Sequence, residues 1–135
     1  MLNKPHPKIF IQVPCFNEAE NISHVICSYK EVAKSYGLEI YILVIDDGST
    51  DNSRQLALEA GADTVLSSSK NRGLAKSFQR GIDTCLKMGA DIVVNTDGDG
   101  QYPASSLFKL LKPILDGSAD VVIGDRSTNK VDQFS

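Results

Sequence analysis

The chain has 135 residues, of which 41% are hydrophobic and 23% charged, and this composition is that of one ordinary globular domain with a buried core. Its formal net charge of −3 argues against a general nucleic-acid-binding protein, so no nucleic-acid partner is expected. The cysteines are odd in number, lie far apart and form no C-x-x-C pair. This pattern indicates neither a disulfide framework nor a zinc site and favours a reducing compartment. We expect Cys27 and Cys85 to be buried thiols.

The sequence shows no targeting or membrane-spanning segment. The first seven residues are polar and broken by prolines, unlike a signal peptide. The longest apolar run, residues 40–45, is far shorter than the roughly 20 residues of a membrane span. Residues 125–135 follow the last predicted strand without a closing element. The expectation is one domain over residues 1–135 that is incomplete at its C-terminal end.

Short β-branched and apolar runs alternate with stretches whose apolar residues recur at three- and four-residue steps. The runs predict strands at residues 8–13, 39–45, 64–66, 92–95 and 120–123. The stretches between them predict amphipathic helices, the first beginning at Asn17 or Glu18 and the second capped by Ser49 or Thr50. The apolar side chains on the second and third helices are Leu56, Leu58, Ala60, Leu74, Phe78, Ile82, Cys85 and Leu86, and we expect those of the third helix to share one buried face.

This alternation predicts an α/β fold with a doubly wound, mostly parallel sheet and helices on both faces. In such sheets, ligands bind beyond the carboxyl ends of the strands, where the strand order reverses. Polar loops follow the first four predicted strands, at residues 14–18, 46–51, 67–73 and 97–101. Because parallel strands end at one edge of the sheet, we expect these loops to form one site.

The loop after the fourth predicted strand carries Asp97 and Asp99, followed by Gln101. Two carboxylates and an amide oxygen are hard ligands that suit Mg²⁺ or Mn²⁺, which take about six oxygens. An EF-hand calcium loop would need Glu in place of Ser106 and a helix rather than a strand before the loop. We therefore predict a magnesium or manganese site at the end of this strand.

The loop after the second strand contains two adjacent acids, Asp46 and Asp47. Adjacent carboxylates at a strand end are costly without a partner, so we expect them to contact a ligand, for example a base N–H or a ribose hydroxyl. Ser49, Thr50 and Asp51 are typical helix-capping residues, and we assign them mainly to that role.

The loops after the first and third strands offer groups that suit other parts of a nucleotide. Pro14 or Phe16 is expected to lie beside a base, whereas Glu18 either accepts a hydrogen bond from a hydroxyl or belongs to the first turn of a helix. Residues 70–73 place positive charge near a helix N-terminus, which suits phosphate, although exposed basic residues also occur on ordinary surfaces. The sequence has no P-loop, no G-x-G-x-x-G and no serine-nucleophile elbow.

Four segments carry a resemblance to a known family: V-P-C-F-N-E-A-E-N, V-I-D-D-G-S-T-D, K-N-R-G-L-A-K-S-F-Q-R-G-I-D and T-D-G-D-G-Q-Y-P. In this order and spacing they strongly resemble the family 2 glycosyltransferases, which have the GT-A fold. The D-G-D-G-Q-Y-P form is most similar to the branch that transfers sugars to polyprenyl (dolichyl-type) phosphates. The resemblance implies the Rossmann-like, nucleotide-sugar-binding half of a metal-dependent, inverting enzyme of cell envelope biosynthesis. It also implies a cytoplasmic protein, which in a full-length form would reach the cytoplasmic face of a membrane through segments absent from this sequence.

The resemblance also implies roles for individual residues. Lys70 and Gly73 would lie near the ribose and pyrophosphate, and Gly98 would contact the substrate. The residues implied to hold the nucleoside are Pro14, Phe16, Glu18, Asp46 and Asp47.

Metal binding and catalysis are implied for the later part of the chain. Asp97, Asp99 and Gln101 would hold Mg²⁺ or Mn²⁺ and, through it, the diphosphate, with Asp99 counted as catalytic. Arg126, in V-I-G-D-R, matches an arginine that the polyprenyl branch places near phosphate groups, and it is the second implied catalytic residue. Asp125 departs from the small or hydroxyl residue more usual at its position.

The implied reaction transfers a sugar, with inversion, from a UDP- or GDP-sugar to a polyprenyl phosphate. A hydroxyl acceptor on a polysaccharide, protein or lipid is the alternative, and it would need a general base, which the family supplies from a segment beyond the fifth strand. A nucleotidyltransferase would need a glycine-rich basic loop after the first strand, which this sequence lacks. A non-catalytic nucleotide- or metal-binding module is the alternative from another class. We expect little or no transfer activity from this sequence alone.

Overall fold

The computed structural model describes residues 6–96, 103–117, 121–125 and 130–134, and in the last two ranges it describes the backbone. The elements in chain order are β1 (Ile9–Cys15), α1 (Ile22–Ser35), β2 (Ile40–Asp46), α2 (Ser53–Ala60), β3 (Thr64–Ser67), α3 (Leu74–Lys87), β4 (Ile92–Asn95), a 3-10 helix (Ala104–Ser106), α4 (Leu107–Leu115), β5 (Val121–Asp125) and β6 (Lys130–Phe134). Within these ranges, no helix is long and apolar enough to cross a membrane.

The first four strands form one parallel sheet in the order β3-β2-β1-β4. β1 pairs with β2 along its whole length, from Ile9 opposite Ile40 to Cys15 opposite Asp46. On its other side β1 pairs with β4 as far as Gln12. The strand order therefore reverses between β1 and β4, and this is where a ligand is expected in a doubly wound sheet.

Both faces of the sheet are covered, as the sequence predicts. Ile9, Ile11 and Val13 of β1 belong to a buried cluster that includes residues of α1, α2 and α4. Phe10 points to the opposite face, in a second cluster with Cys85 of α3. This alternation is the two-residue period of a strand buried on both sides, and it confirms the predicted α/β architecture.

The prediction that the large apolar residues of α3 form its buried face is wrong. Leu74, Phe78 and Leu86 are 70%, 42% and 61% exposed, whereas the buried residues of this helix are Ser77, Gly81 and Cys85. The physical reason is a close approach to the sheet. A Cβ added at Gly81 would lie 2.3 Å from Cδ1 of Ile45 and 2.4 Å from Cδ of Gln12.

Smaller corrections concern α1 and α2. Cys27 is exposed rather than buried, because it lies one position beyond the buried stripe of α1 that includes Ile22 and Ile26. α2 begins at Ser53, after Asn52, and is not capped by Ser49 or Thr50. Leu58 of the same helix is 47% exposed.

The last predicted strand exists but does not belong to the parallel sheet. β5 pairs antiparallel with β6, with Val121 opposite Phe134 and Asp125 opposite Lys130. The sequence predicted no element after this strand. A connection as short as residues 126–129 permits only an antiparallel partner, because a parallel one requires a long crossover.

The contact between α3 and the sheet predicts that Gly81→Ala lowers the free energy of unfolding by about 1–3 kcal/mol, because the added methyl group overpacks the interface. Helix propensity alone would make the same change stabilising by up to about 1 kcal/mol. Urea unfolding followed by circular dichroism measures the sign. Lys76→Ala, at an exposed position of α3, is the control and should change stability little. A more stable Gly81→Ala variant would contradict the close packing.

Candidate functional site at the carboxyl edge of the sheet

The loops that follow β1, β2 and β3 lie side by side because backbone hydrogen bonds continue beyond the strands. The N–H of Asp47 donates to the carbonyl oxygen of Cys15 at 2.9 Å. The N–H of Ser68 donates to the carbonyl oxygen of Asp46 at 3.0 Å. Three of the four polar segments expected to share one edge are therefore brought together.

The carboxylate of Asp47 is bonded to the start of α3. Oδ1 accepts the N–H of Arg72 at 2.7 Å, and Oδ2 accepts the N–H of Gly73 at 2.9 Å. Gly73 immediately precedes α3, so a buried anion, only 6% exposed, lies at the positive end of this helix. The sequence predicted that the start of this helix would suit a phosphate. In the structure these two N–H groups donate to Asp47 instead.

Gly48 allows the loop before α3 to pack directly on the loop after β2. Its φ is +85°, and an added Cβ would lie 2.6 Å from the carbonyl carbon of Lys70 and 2.7 Å from the nitrogen of Asn71. Both the backbone angle and the lack of space require glycine. Asp47 and Gly48 together fix residues 70–73, and the exposed Lys70 is carried on this fixed loop.

Asp46 is also buried, at 4% exposure, and its Oδ1 accepts the N–H of Ser49 at 3.0 Å. This bond, from the N–H three residues further along the chain, closes the turn after β2. Both acids of the pair thus have hydrogen-bond donors within the protein. Ligand contact through the remaining lone pairs of Asp46 and Asp47 stays a prediction.

Asn17 joins the loop after β1 to the loop after β2. Its φ of 51° is left-handed, a conformation that asparagine tolerates better than most residues. Its Oδ1 accepts the N–H of Thr50 at 2.8 Å and that of Asp51 at 3.3 Å, and its own N–H donates to Oγ of Ser49 at 2.9 Å. Sequence reasoning took Asn17 or Glu18 as the start of the first helix, which instead begins at Ile22. It missed the connection made by Asn17 because the partner of this side chain lies 33 residues away.

A second connection between the same loops runs through Ser53. Its hydroxyl accepts the N–H of Glu18 at 2.8 Å and donates to Asp51, and this donated bond lowers the pKa of Asp51. Asp51 also accepts the N–H of Ala19 at 3.2 Å. The carboxylate of Glu18 accepts a bond from Nδ2 of Asn21 at 3.2 Å, at the start of α1. Asp51 therefore connects two loops, whereas the N-cap position of α2, predicted among Ser49, Thr50 and Asp51, is Asn52.

Phe16 is the accessible aromatic ring at the end of β1. It is 44% exposed, whereas Cys15 before it is buried and Pro14 is half-buried. The left-handed turn at Asn17 directly follows Phe16. An exposed ring on a hydrogen-bonded loop has the properties needed to stack on a nucleobase.

The predicted metal ligands and the implied arginine, namely Asp97, Gly98, Asp99, Gln101 and Arg126, lie outside the described residues. The chain enters this segment from Thr96, directly after β4. In the part of the chain that the structure describes, no group of three or more His, Cys, Asp or Glu side chains is arranged to hold a metal ion. Two carboxylates and an amide oxygen fit Mg²⁺ or Mn²⁺ by their chemistry, and the assignment of the metal to Asp97, Asp99 and Gln101 stays a prediction.

Burial predicts distinct reactivities for the three thiols. It raises the pKa of Cys15 to about 11 and that of Cys85 to about 11, so both remain protonated at neutral and mildly alkaline pH. We expect Ellman's reagent to modify only Cys27 in the native protein, and all three thiols after unfolding in guanidinium. Cys27→Ser should abolish the native reaction. Rapid modification of Cys15 in native buffer would show that the end of β1 is open to solvent.

Asp47→Asn tests the bond between the β2 loop and α3. The amide keeps one oxygen but turns an NH₂ group toward a backbone N–H, so we expect a loss of about 1–3 kcal/mol in unfolding free energy. Hydrogen exchange at the amides of Arg72 and Gly73 should become faster. Asp83→Asn, at an exposed site on α3, should change neither quantity. Unchanged exchange at Gly73 in Asp47→Asn would contradict the role assigned to this carboxylate.

Comparison with known proteins extends these observations. The chain matches the model of Glycosyl transferase family 2 over residues 10–135. It is similar to Glycosyltransferase AglJ of Haloferax volcanii, with 39% identity over 118 residues that make up 87% of this chain and 36% of AglJ. It is also similar to a polyprenol monophosphomannose synthase of Mycolicibacterium smegmatis, with 31% identity over 128 residues, 91% of this chain and 46% of the synthase. The chain thus spans between a third and a half of the length of these relatives.

A solved structure shows the same fold. Glucosyl-3-phosphoglycerate synthase of Mycobacterium tuberculosis, crystallised with Mn²⁺, UDP and glucosyl-3-phosphoglycerate, superposes with a TM-score of 0.65 and 26% identity, over 81% of this chain and 40% of the synthase. The mostly parallel sheet and its helices are therefore those of the GT-A fold. Since the family model covers nearly the whole chain, this chain belongs to glycosyl transferase family 2.

Proposed function

We propose that this chain binds a nucleoside-diphosphate sugar at the carboxyl edge of its sheet and forms the donor site of an inverting glycosyltransferase. One observation carries the proposal. The order of the strands reverses between β1 and β4, and at this point Phe16 is exposed on the loop after β1, which is hydrogen-bonded to the loop after β2, while Thr96 leads into the acidic segment. The aromatic ring follows β1, the two adjacent carboxylates follow β2, and the predicted metal ligands follow β4 in the sequence. These three strands are neighbours in the sheet.

The nucleoside end of the donor is assigned to the loops after β1 and β2. Phe16 would stack on the base, with Pro14 and Glu18 on the same loop. Asp46 and Asp47 already accept backbone N–H groups, and their remaining lone pairs would accept a base N–H or a ribose hydroxyl. Carboxylates accept hydrogen bonds from the N–H groups of both uracil and guanine, so we propose either UDP or GDP as the nucleotide part of the donor.

The diphosphate end is assigned to the loops after β3 and β4. The ammonium group of Lys70 would attract the diphosphate, Gly73 would lie near the ribose and pyrophosphate, and Gly98 would contact the substrate. Mg²⁺ or Mn²⁺ bound by Asp97, Asp99 and Gln101 would neutralise charge on the leaving nucleoside diphosphate. Manganese and UDP are present in the crystallised synthase described above, which supports this choice of ligand for the first experiments.

The acceptor that we propose is a polyprenyl phosphate. Its phosphate oxygen would attack the anomeric carbon, the bond from that carbon to the diphosphate oxygen would break, and the nucleoside diphosphate would leave with the bonding electron pair. A phosphate monoester is already anionic, so this displacement needs no general base. Similarity to a polyprenol monophosphomannose synthase supports this acceptor, and Arg126 would pair with phosphate.

The proposal predicts metal-dependent nucleotide binding by this chain. In calorimetric titrations with UDP and GDP, each with Mn²⁺ or with EDTA, we expect one nucleotide to bind when Mn²⁺ is present. Asp99→Ala should weaken this binding at least about tenfold, because it removes a metal ligand.

Asp83→Ala is the matched control, since it removes an exposed carboxylate on α3, away from the carboxyl edge. Its affinity for the nucleotide should equal that of the unchanged chain. Absence of binding for both nucleotides, or binding that is equal in EDTA and in Asp99→Ala, would contradict the proposed donor site.

A further inference from the structure

A buried hydrogen bond between two hydroxyl groups joins α1 to the end of β4. The hydroxyl oxygen of Tyr29 lies 2.7 Å from Oγ1 of Thr96, and either group can be the donor. Both residues are buried, with exposures of 2% and 7%. The two positions are 67 residues apart in the sequence, so this bond exists only in the folded chain.

Thr96 is held at two of its atoms. In addition to the side-chain bond, its backbone N–H donates to the carbonyl oxygen of Gln12 on β1 at 3.0 Å. The main chain of Thr96 is thus fixed by the sheet and its side chain by α1. The next residue along the chain is Asp97, the first of the predicted metal ligands.

The return of the chain is fixed against the same helix. After residues 97–102 the chain forms the 3-10 helix, which contacts α1, and Ala104 and Leu107 belong to the same buried cluster as Tyr29. Both described ends of the acidic segment therefore rest on α1. At one end the contact is a directional hydrogen bond, and at the other it is apolar packing.

Packing alone does not account for the hydroxyl groups at these positions. Phenylalanine and valine have nearly the same shapes as tyrosine and threonine and would bury apolar surface without a polar group that needs a partner. A buried hydroxyl pair instead specifies distance and direction. In metal sites, groups that hydrogen-bond the ligands orient them, and their loss typically weakens metal binding about 10–100-fold. Tyr29 bonds the residue before a predicted ligand, so we expect an effect at the lower end of this range.

We propose that Tyr29 is a positioning residue for the metal-binding segment, acting through Thr96. The proposal rests on the proposed donor site, because it takes Asp97, Asp99 and Gln101 as the metal ligands. In this positioning role Tyr29 contacts Thr96 and neither the metal nor the substrate. Its hydroxyl fixes the residue from which the ligand-bearing segment departs.

The test compares Tyr29→Phe, Thr96→Val, the double variant and Thr96→Ser, which keeps the hydroxyl. The measurement is the Mn²⁺ concentration required for half-maximal binding of the nucleotide that the unchanged chain binds. We expect this concentration to rise about tenfold in each hydroxyl-removing single variant. The double variant should resemble either single variant, since each single substitution already removes the bond between Tyr29 and Thr96. Thr96→Ser should resemble the unchanged chain.

Ile42→Val is the control for a general loss of stability, because it removes one buried methylene group from β2 without touching this bond. Thermal unfolding places all variants on one stability scale, and the control should keep the unchanged Mn²⁺ requirement. If Tyr29→Phe and Thr96→Val keep it too, or if their effects add in the double variant, the positioning role is wrong. If the unchanged chain shows no Mn²⁺-dependent binding, the proposed donor site itself fails, and the positioning role fails with it.

Discussion

The central strand β1 fixes the geometry of the whole site edge, because it is hydrogen-bonded on both sides and covered on both faces. β2 continues its pairing as far as Cys15, while β4 ends opposite Gln12. From Ile9 to Gln12 the strand is paired on both sides, and it alternates its side chains between two apolar clusters, so a shift in register would move every one of them to the wrong face. The loop after β1 and residue Thr96 at the end of β4 are therefore fixed in position by this strand.

The polar residues at the site edge divide into two groups with different tasks. Those that follow β1 and β2 mostly bond backbone N–H groups of neighbouring loops, as Asp47 does for α3 and Asn17 for the loop after β2. Carboxylates placed at helix N-termini also interact favourably with the helix dipole. These bonds give a fixed frame on which Phe16 is exposed. The acids after β4 belong to the second group, for which the proposed partner is a metal ion.

α3 shows how a close contact between a helix and a sheet reverses the usual distribution of side-chain sizes. Gly81 lies against Ile45 and Gln12, so only small residues fit between helix and strands. The side-chain amide of Gln12 lies in the same narrow gap between helix and sheet. Its Nε2 donates a hydrogen bond to the carbonyl oxygen of Phe78 at 3.1 Å. The large apolar side chains are consequently left on the outer surface of the helix. The site benefits because the start of α3 is brought within reach of Asp47.

The sequence by itself determined the α/β class, the four strands of the parallel sheet and the placement of three polar loops at its edge, because hydrophobic periodicity and turn residues are local properties of the chain. The family resemblance of its motifs likewise came from the sequence and is confirmed by the family match. Tertiary structure decided which face of α3 is buried, that Asp47 bonds to Arg72 and Gly73, and that Tyr29 meets Thr96. Each of these depends on the distance between elements far apart in the chain, and no local pattern encodes such a distance.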